Sequence, residues 1–142
     1  MTDKWVLYAF ISMVFAGFTS VIAKMGLNGI TGELGLTIRT LFVCAFVLIF
    51  AAWAVPVQQI AEVSQSNLLW LGLSGITTAL SWIFYYKALK LGDVATVALI
   101  DKGSVVVAML MAWLLLREVI TLRMLAGAGL IVAGLLVIAK KP

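Results

Sequence analysis

Five long apolar runs, at about residues 5–27, 34–55, 68–90, 93–116 and 121–139, take up almost all of a 142-residue chain. The breaks between them are short and carry turn residues or charge: Gly26 to Gly35, Pro56 to Asn67, Leu91 to Asp93, and Arg117 to Leu122. A helix needs about 20 apolar residues to cross the ~30 Å hydrocarbon layer of a bilayer. The pattern therefore predicts an all-α integral membrane protein, one domain of five transmembrane helices, with no room within these residues for a separate soluble domain. Transmembrane strands would show alternating patterns of ~10 residues, which the runs lack. Composition closes the soluble alternative. The chain is 64% hydrophobic and 11% charged, against roughly 45–50% and about 25% in soluble domains. A domain this small has too much surface for its volume to hide the excess, and a disordered chain would be poor in apolar residues.

Ten Lys and Arg against six Asp and Glu give a net charge of +4. In a chain of membrane helices this excess fits the preference of cytoplasmic loops for basic residues, and no nucleic-acid partner is expected. An odd number of crossings puts the termini on opposite sides. The N-terminal side receives Lys4, Arg117 and Arg123. The other side receives Lys24, Lys87, Lys90, Lys140 and Lys141, with Arg39 deeper, and is the expected cytoplasmic face of a prokaryotic inner membrane. So small a bias also permits insertion both ways round. The first run exceeds the 7–15-residue core of a cleavable signal and reads as a retained helix. Cys44 is the single cysteine, so no intrachain disulfide is possible, and the absence of histidine removes the commonest metal ligand and the usual general base. Gly72-Leu73-Ser74-Gly75 has the form used by intramembrane serine proteases, but no base accompanies it. The sequence predicts no enzyme, no cofactor and no metal.

Ionisable residues inside a span cost on the order of 2.5–3.5 kcal/mol each on insertion scales, which makes them the best functional signal in such a chain. Asp101 and Lys102 lie in the fourth run, Arg39 in the second, and Lys24 and Lys87 nearer the ends of the first and third. Because successive runs reverse direction, all five fall in the same leaflet half. Facing inward, they would line a wet, net-positive vestibule. The structural alternative has Lys24 and Lys87 extending their stems to the headgroups and Asp101 paired with a nearby cation as a lock.

Helix faces agree with an interior route. Ser74, Thr78, Ser81 and Tyr85 share one face of the third helix, flanked by Trp82 and Tyr86. The first helix places Ala9, Ser12, Ala16, Thr19 and Ala23 on a strip beside Ser20 and Lys24, and the second aligns Glu33, Thr37, Thr40 and Cys44. In the fourth, Asp101, Ser104 and Ala108 fall together while Lys102 points about 100° away. Small and hydroxylated stripes also serve close helix packing, but an aromatic cluster beside hydroxyls suits a small solute. The candidate substrate-binding set is Asp101, Lys102, Arg39, Lys24, Ser74, Thr78, Ser81, Trp82, Tyr85, Tyr86 and Ser104. The fifth run is uncharged between Arg123 and Lys140 and carries the small-xxx-small pair Gly129 and Ala133, so it reads as a packing or dimer helix.

The run from Tyr86 through Ala95, together with Ile100-Asp101-Lys102-Gly103-Ser104-Val105-Val106, Trp113 through Glu118 and Gly127 through Gly134, resembles an EamA domain of the drug/metabolite transporter superfamily. The likeness extends over essentially the whole chain, and the Ile-Asp-Lys run is like that of single-domain, half-size members. Two departures stand out. Many two-domain relatives carry a proline near positions 104–105, where Ser104 and Val105 stand, so a proline-assisted bend is not expected. Relatives that export cationic drugs use a glutamate in the first helix, which has no acid here. The resemblance implies a membrane transporter. One copy cannot supply both halves around a midplane site, whereas two copies inserted oppositely can. The expectation is a carrier of a small anionic or zwitterionic metabolite, such as an amino acid or carboxylate. It would work by alternating access as an antiparallel homodimer in the lipid bilayer, with Asp101 as proton carrier. The rival reading is a non-transporting scaffold or assembly subunit of a larger complex.

Overall fold

A computed structural model describes residues 4–139; Asp3, Lys140 and Lys141 lie outside them. The helices are α1 (Lys4–Gly26), α2 (Gly32–Ala54), α3 (Val57–Ile60), α4 (Gln65–Leu91), α5 (Val94–Asp101), α6 (Ser104–Leu116) and α7 (Leu122–Ala139). Among the described residues there is no strand. Four stretches are long and apolar enough to cross a membrane: α1, α2, α4, and α5 with α6 taken together. The last run forms α7, whose 18 residues extend ~27 Å at 1.5 Å per residue, slightly less than the hydrocarbon layer.

Side-chain caps mark where α2, α4, α5 and α7 begin. Thr31 Oγ1 accepts from the Leu34 amide, Ser64 Oγ from Asn67, Asp93 Oδ2 from Thr96 and Thr121 Oγ1 from Met124. Each satisfies an amide that the first turn leaves without a carbonyl. The α2 helix stops because Val55 precedes Pro56, whose ring disfavours helical torsions in the residue before it, and Val55 is extended at φ −105° and ψ 112°. After α1 the chain turns through Gly29 at φ 75°, and Arg117 closes α6 in the left-handed region at φ 54°.

The fourth run is not the unbroken helix its apolar content suggests. At Lys102 and Gly103 the backbone tightens into i→i+3 bonds: the Gly103 amide donates to Ile100 O at 2.9 Å and the Val106 amide to Gly103 O at 3.0 Å. This 3₁₀-like turn separates α5 from α6 without any proline. A Cβ on Gly103 would lie 2.8 Å from Leu135 Cδ1 and 3.0 Å from Ile100 O. The missing side chain leaves room for the Leu135 side chain of α7 beside the turn.

The chain forms two compact units. One runs from Ile22 to Leu91; the other combines the described residues up to Val21 with those from Gly92 onward. In the first, α2 and α4 pack antiparallel; in the second, α7 lies against α5 and α6. Leu27, Tyr86 and Leu89 are the buried apolar residues of the first unit, and Ala128 of the second. Most other large apolar side chains stand outward, Trp53 at 85% exposure among them. In water this would be untenable; in hydrocarbon, lipid chains cover these faces as well as protein would.

Candidate functional site

The end of the Ile22–Leu91 unit where α2 starts and α4 finishes is tied together by close approach and by lysines. A Cβ on Gly32 would lie 2.9 Å from Tyr86 O, and the Leu27 side chain sits where a Cβ on Gly35 would go. Glycine at both positions lets the backbones meet. Lys24 Nζ donates to Leu89 O, and Lys90 Nζ donates to Leu27 O at 2.9 Å. Both carbonyls lie at or just beyond a helix end, where intrahelical donors run out, so each ammonium makes a charge-assisted bond that joins two segments. Lys87 Nζ lies 3.5 Å from Glu33 Oε1, with both side chains more than half exposed. Lys24 is thus engaged by backbone and Lys87 by a carboxylate.

Arg39 is held differently. Its guanidinium carbon lies 4.2 Å from the centre of the Trp82 ring and 5.9 Å from that of Tyr86. Tyr86 is buried, and Tyr85 meets it edge-on at 6.4 Å. Stacking of this kind offsets part of the cost of desolvating the cation. It does not satisfy its donors: Nη1 is sealed from solvent with no hydrogen-bond partner. A buried donor left unmade costs about 1–3 kcal/mol, and more when charged. A flat, unpaired guanidinium is suited to receive a carboxylate through two parallel bonds.

Between α2 and α4 runs a groove of about 900 Å³ lined by Thr37, Cys44, Ser74, Thr78 and Trp82 together with leucine, valine and isoleucine side chains. Arg39, Ser81, Tyr85 and Tyr86 are absent from its walls. The expected row of Ser74, Thr78, Ser81 and Tyr85 is therefore divided, its first half in the groove and its second half outside. The threonine hydroxyls are also occupied. Thr78 Oγ1 donates to Ser74 O at 2.8 Å, Thr37 Oγ1 to Glu33 O at 2.9 Å and Thr40 Oγ1 to Leu36 O at 2.8 Å. Back-bonding within a helix is a common use of threonine, and it leaves these protons unavailable to a solute.

Asp101, Lys102 and Ser104 belong to the other unit. Asp101 ends α5, half-buried, with Oδ2 4.0 Å from Lys102 Nζ, and Ser104 opens α6 exposed. Although neighbouring residues point about 100° apart on a helix, the turn and the long lysine stem bring the two charged tips together. The structure thus brings Arg39, Trp82 and Tyr86 into one cluster, Ser74 and Thr78 into a groove, and Lys24 onto a carbonyl. Among the described residues no group of three His, Cys, Asp or Glu side chains is placed to hold a metal. Glu33, Lys87 and Lys90 were absent from the candidate set. The first two start and finish antiparallel helices, a register from which their pairing is readable.

The sequence profile of the EamA-like transporter family matches residues 3–140. A protein of Sinorhizobium sp. described as "Uncharacterized transporter in cobO 3'region" is 36% identical over 139 residues, which are 98% of this chain and 99% of that relative. No solved structure matches the chain.

Proposed function

We propose, for a chain that belongs to the EamA-like transporter family and is a membrane transporter, that its cargo is a small anionic or zwitterionic metabolite, such as an amino acid or carboxylate, anchored at Arg39. The observation that carries this reading is the Arg39 guanidinium, stacked on Trp82 with Nη1 buried and unpartnered. A permanent cation in an apolar helix favours a state in which an anion completes its bonds. Lys24 and Lys87 add less, since each is already engaged.

In this reading the chain crosses the membrane five times, α7 included, in a prokaryotic inner membrane. Two copies inserted in opposite senses form the carrier, which rocks between outward-open and inward-open states around a midplane site, with α7 at the edge. Asp101, with Lys102 and Ser104 beside it, carries the coupling proton. Reconstituted vesicles loaded with radiolabelled amino acids and carboxylates test the proposal. Wild-type vesicles are expected to exchange an anionic or zwitterionic solute, and Arg39→Gln to lose that exchange. Unimpaired flux of anions through Arg39→Gln would overturn the assignment, and a single fixed orientation of every copy would overturn the antiparallel dimer. A scaffold would show no flux in either protein.

A further inference from the structure

We propose that the groove between α2 and α4, together with a polar hollow that joins it at Glu33, seats one anionic glycerophospholipid, with an acyl chain along the groove and the phosphodiester at Lys87 and Lys90. The hollow, of about 660 Å³, is lined by Thr31, Gly32, Glu33, Lys87 and Lys90 with Gly29, Ile30 and Leu91. Glu33 lines both hollow and groove, so a headgroup cavity and a tail cavity meet at one residue. The proposal does not depend on the cargo or on Arg39, which lines neither.

Dimensions fit one leaflet. From Glu33 at the mouth to Cys44 at the far end the groove follows α2 for about 16 Å at 1.5 Å per residue. Half of the hydrocarbon layer is ~15 Å. The polar end of the groove falls where α2 begins and α4 ends, the level at which headgroups lie. Leu36, Leu41, Val43, Leu71 and Ile83 make the walls apolar along the whole length of the groove, and Thr37, Thr40 and Thr78 return their protons to their own helices. An acyl chain needs no hydrogen bonds and is offered none by these threonines. A concavity facing hydrocarbon has no water to fill it, and an empty one forfeits contacts along its whole wall. An acyl chain supplies them.

Charge selects the headgroup. Lys87 and Lys90 against Glu33 leave one positive charge at the hollow, matched by the single negative charge of a phosphodiester. Each ammonium has three N–H donors. One from Lys90 is directed at Leu27 O, and Lys87 faces Glu33 Oε1, which leaves further donors on both for phosphate oxygens. The first turn of α2 adds its positive end to the same wall.

Native mass spectrometry of the detergent-purified full chain, with phosphatidylglycerol, phosphatidylcholine or neither added, tests the assignment. Wild-type protein is expected to retain one phosphatidylglycerol per chain under conditions that strip phosphatidylcholine. Lys87→Gln and Lys90→Gln are each expected to weaken retention about fivefold, the usual worth of one lysine at an anionic lipid surface. Ala79→Trp, which fills the groove, is expected to abolish retention with both lysines in place. A lipid titration of the wild type followed by thermal unfolding needs no variant to fold: phosphatidylglycerol should raise the midpoint, and inorganic phosphate at equal concentration should not. Three outcomes would overturn the proposal. They are equal retention of phosphatidylcholine, stabilisation by inorganic phosphate as large as by the lipid, and a Lys87→Gln/Lys90→Gln protein that keeps phosphatidylglycerol as tightly as wild type.

Discussion

Arg39 and Asp101 are both ionisable groups set within apolar helices, and their surroundings differ in kind. Arg39 lies against the faces of Trp82 and Tyr86 with Nη1 unpartnered, whereas Asp101 has the ammonium of the next residue 4.0 Å from its carboxylate. Aromatic rings lower the cost of burying a cation without neutralising it, so Arg39 still lacks an anion. A counter-ion one residue away balances Asp101 locally, and both side chains of that pair are partly exposed. The first arrangement leaves a buried donor for an incoming anion, and the second leaves a carboxylate that already has a cation beside it.

The largest expected effect belongs to Arg39. Arg39→Gln should lower uptake of the anionic solute about hundredfold, equivalent to a lost charge-assisted bond of about 3 kcal/mol. Arg39→Lys should not restore it, because an ammonium presents no planar fork. Thermal unfolding of Arg39→Gln should show an unchanged or higher midpoint, since a neutral amide replaces the buried charge. Full uptake by Arg39→Lys would remove the distinction between the two sites. Next comes Gly32→Val, whose added carbon meets Tyr86 O at 2.9 Å, a backbone atom with little freedom to yield. A loss of about 2 kcal/mol in stability is expected from overpacking, read by thermal unfolding, with a weakened apparent affinity for solute as the Arg39–Trp82 stack is disturbed.

On the other side of the comparison the effects are small. Asp101→Asn should change solute binding by no more than about fivefold, because a half-exposed ion pair contributes about 0–1 kcal/mol. It should abolish the pH dependence of uptake, measured between acidic and neutral external buffer. An unaltered pH profile would make Asp101 structural. Gly103→Ala should matter least. Its new methyl group meets Leu135 Cδ1 at 2.8 Å, a side-chain end that can move, and Ile100 O at 3.0 Å, while alanine narrows the unfolded chain's freedom by about 0.4–1 kcal/mol relative to glycine. The two offset, and the midpoint should shift little.

Much of the architecture is legible in the sequence because hydrocarbon solubility is a property of runs. The apolar run at 34–55 became Gly32–Ala54, and that at 68–90 became Gln65–Leu91. Starts are readable from Thr31, Ser64, Asp93 and Thr121, whose side chains cap the helices that follow. The interruption at Lys102–Gly103 is harder to see. It is made by i→i+3 backbone bonds at Ile100–Gly103 and Gly103–Val106, inside a run whose apolar content is continuous on either side. The site was legible in its residue types and less so in their directions. Arg39, Trp82 and Tyr86 were candidates and came together. Lys24 was also a candidate, yet its partner is the backbone carbonyl of Leu89, and any residue presents a carbonyl. Spacing placed Ser74, Thr78, Ser81 and Tyr85 on one face, but only Ser74 and Thr78 line the groove.

The thin core described for this chain bears on how its sequence can drift. Among the described residues, Leu27, Tyr86, Leu89 and Ala128 are the buried apolar positions, and three of the four sit where α1 hands over to α2 and α4 ends. Elsewhere an exchange of leucine for valine or phenylalanine alters little beyond which atoms brush a neighbouring acyl chain. Mutational tolerance should therefore be broad over most of the surface and narrow at that one junction. A saturation screen for folded protein would read as a long permissive stretch punctuated by a few intolerant columns, with Gly32, Gly35, Tyr86 and Leu89 the sharpest.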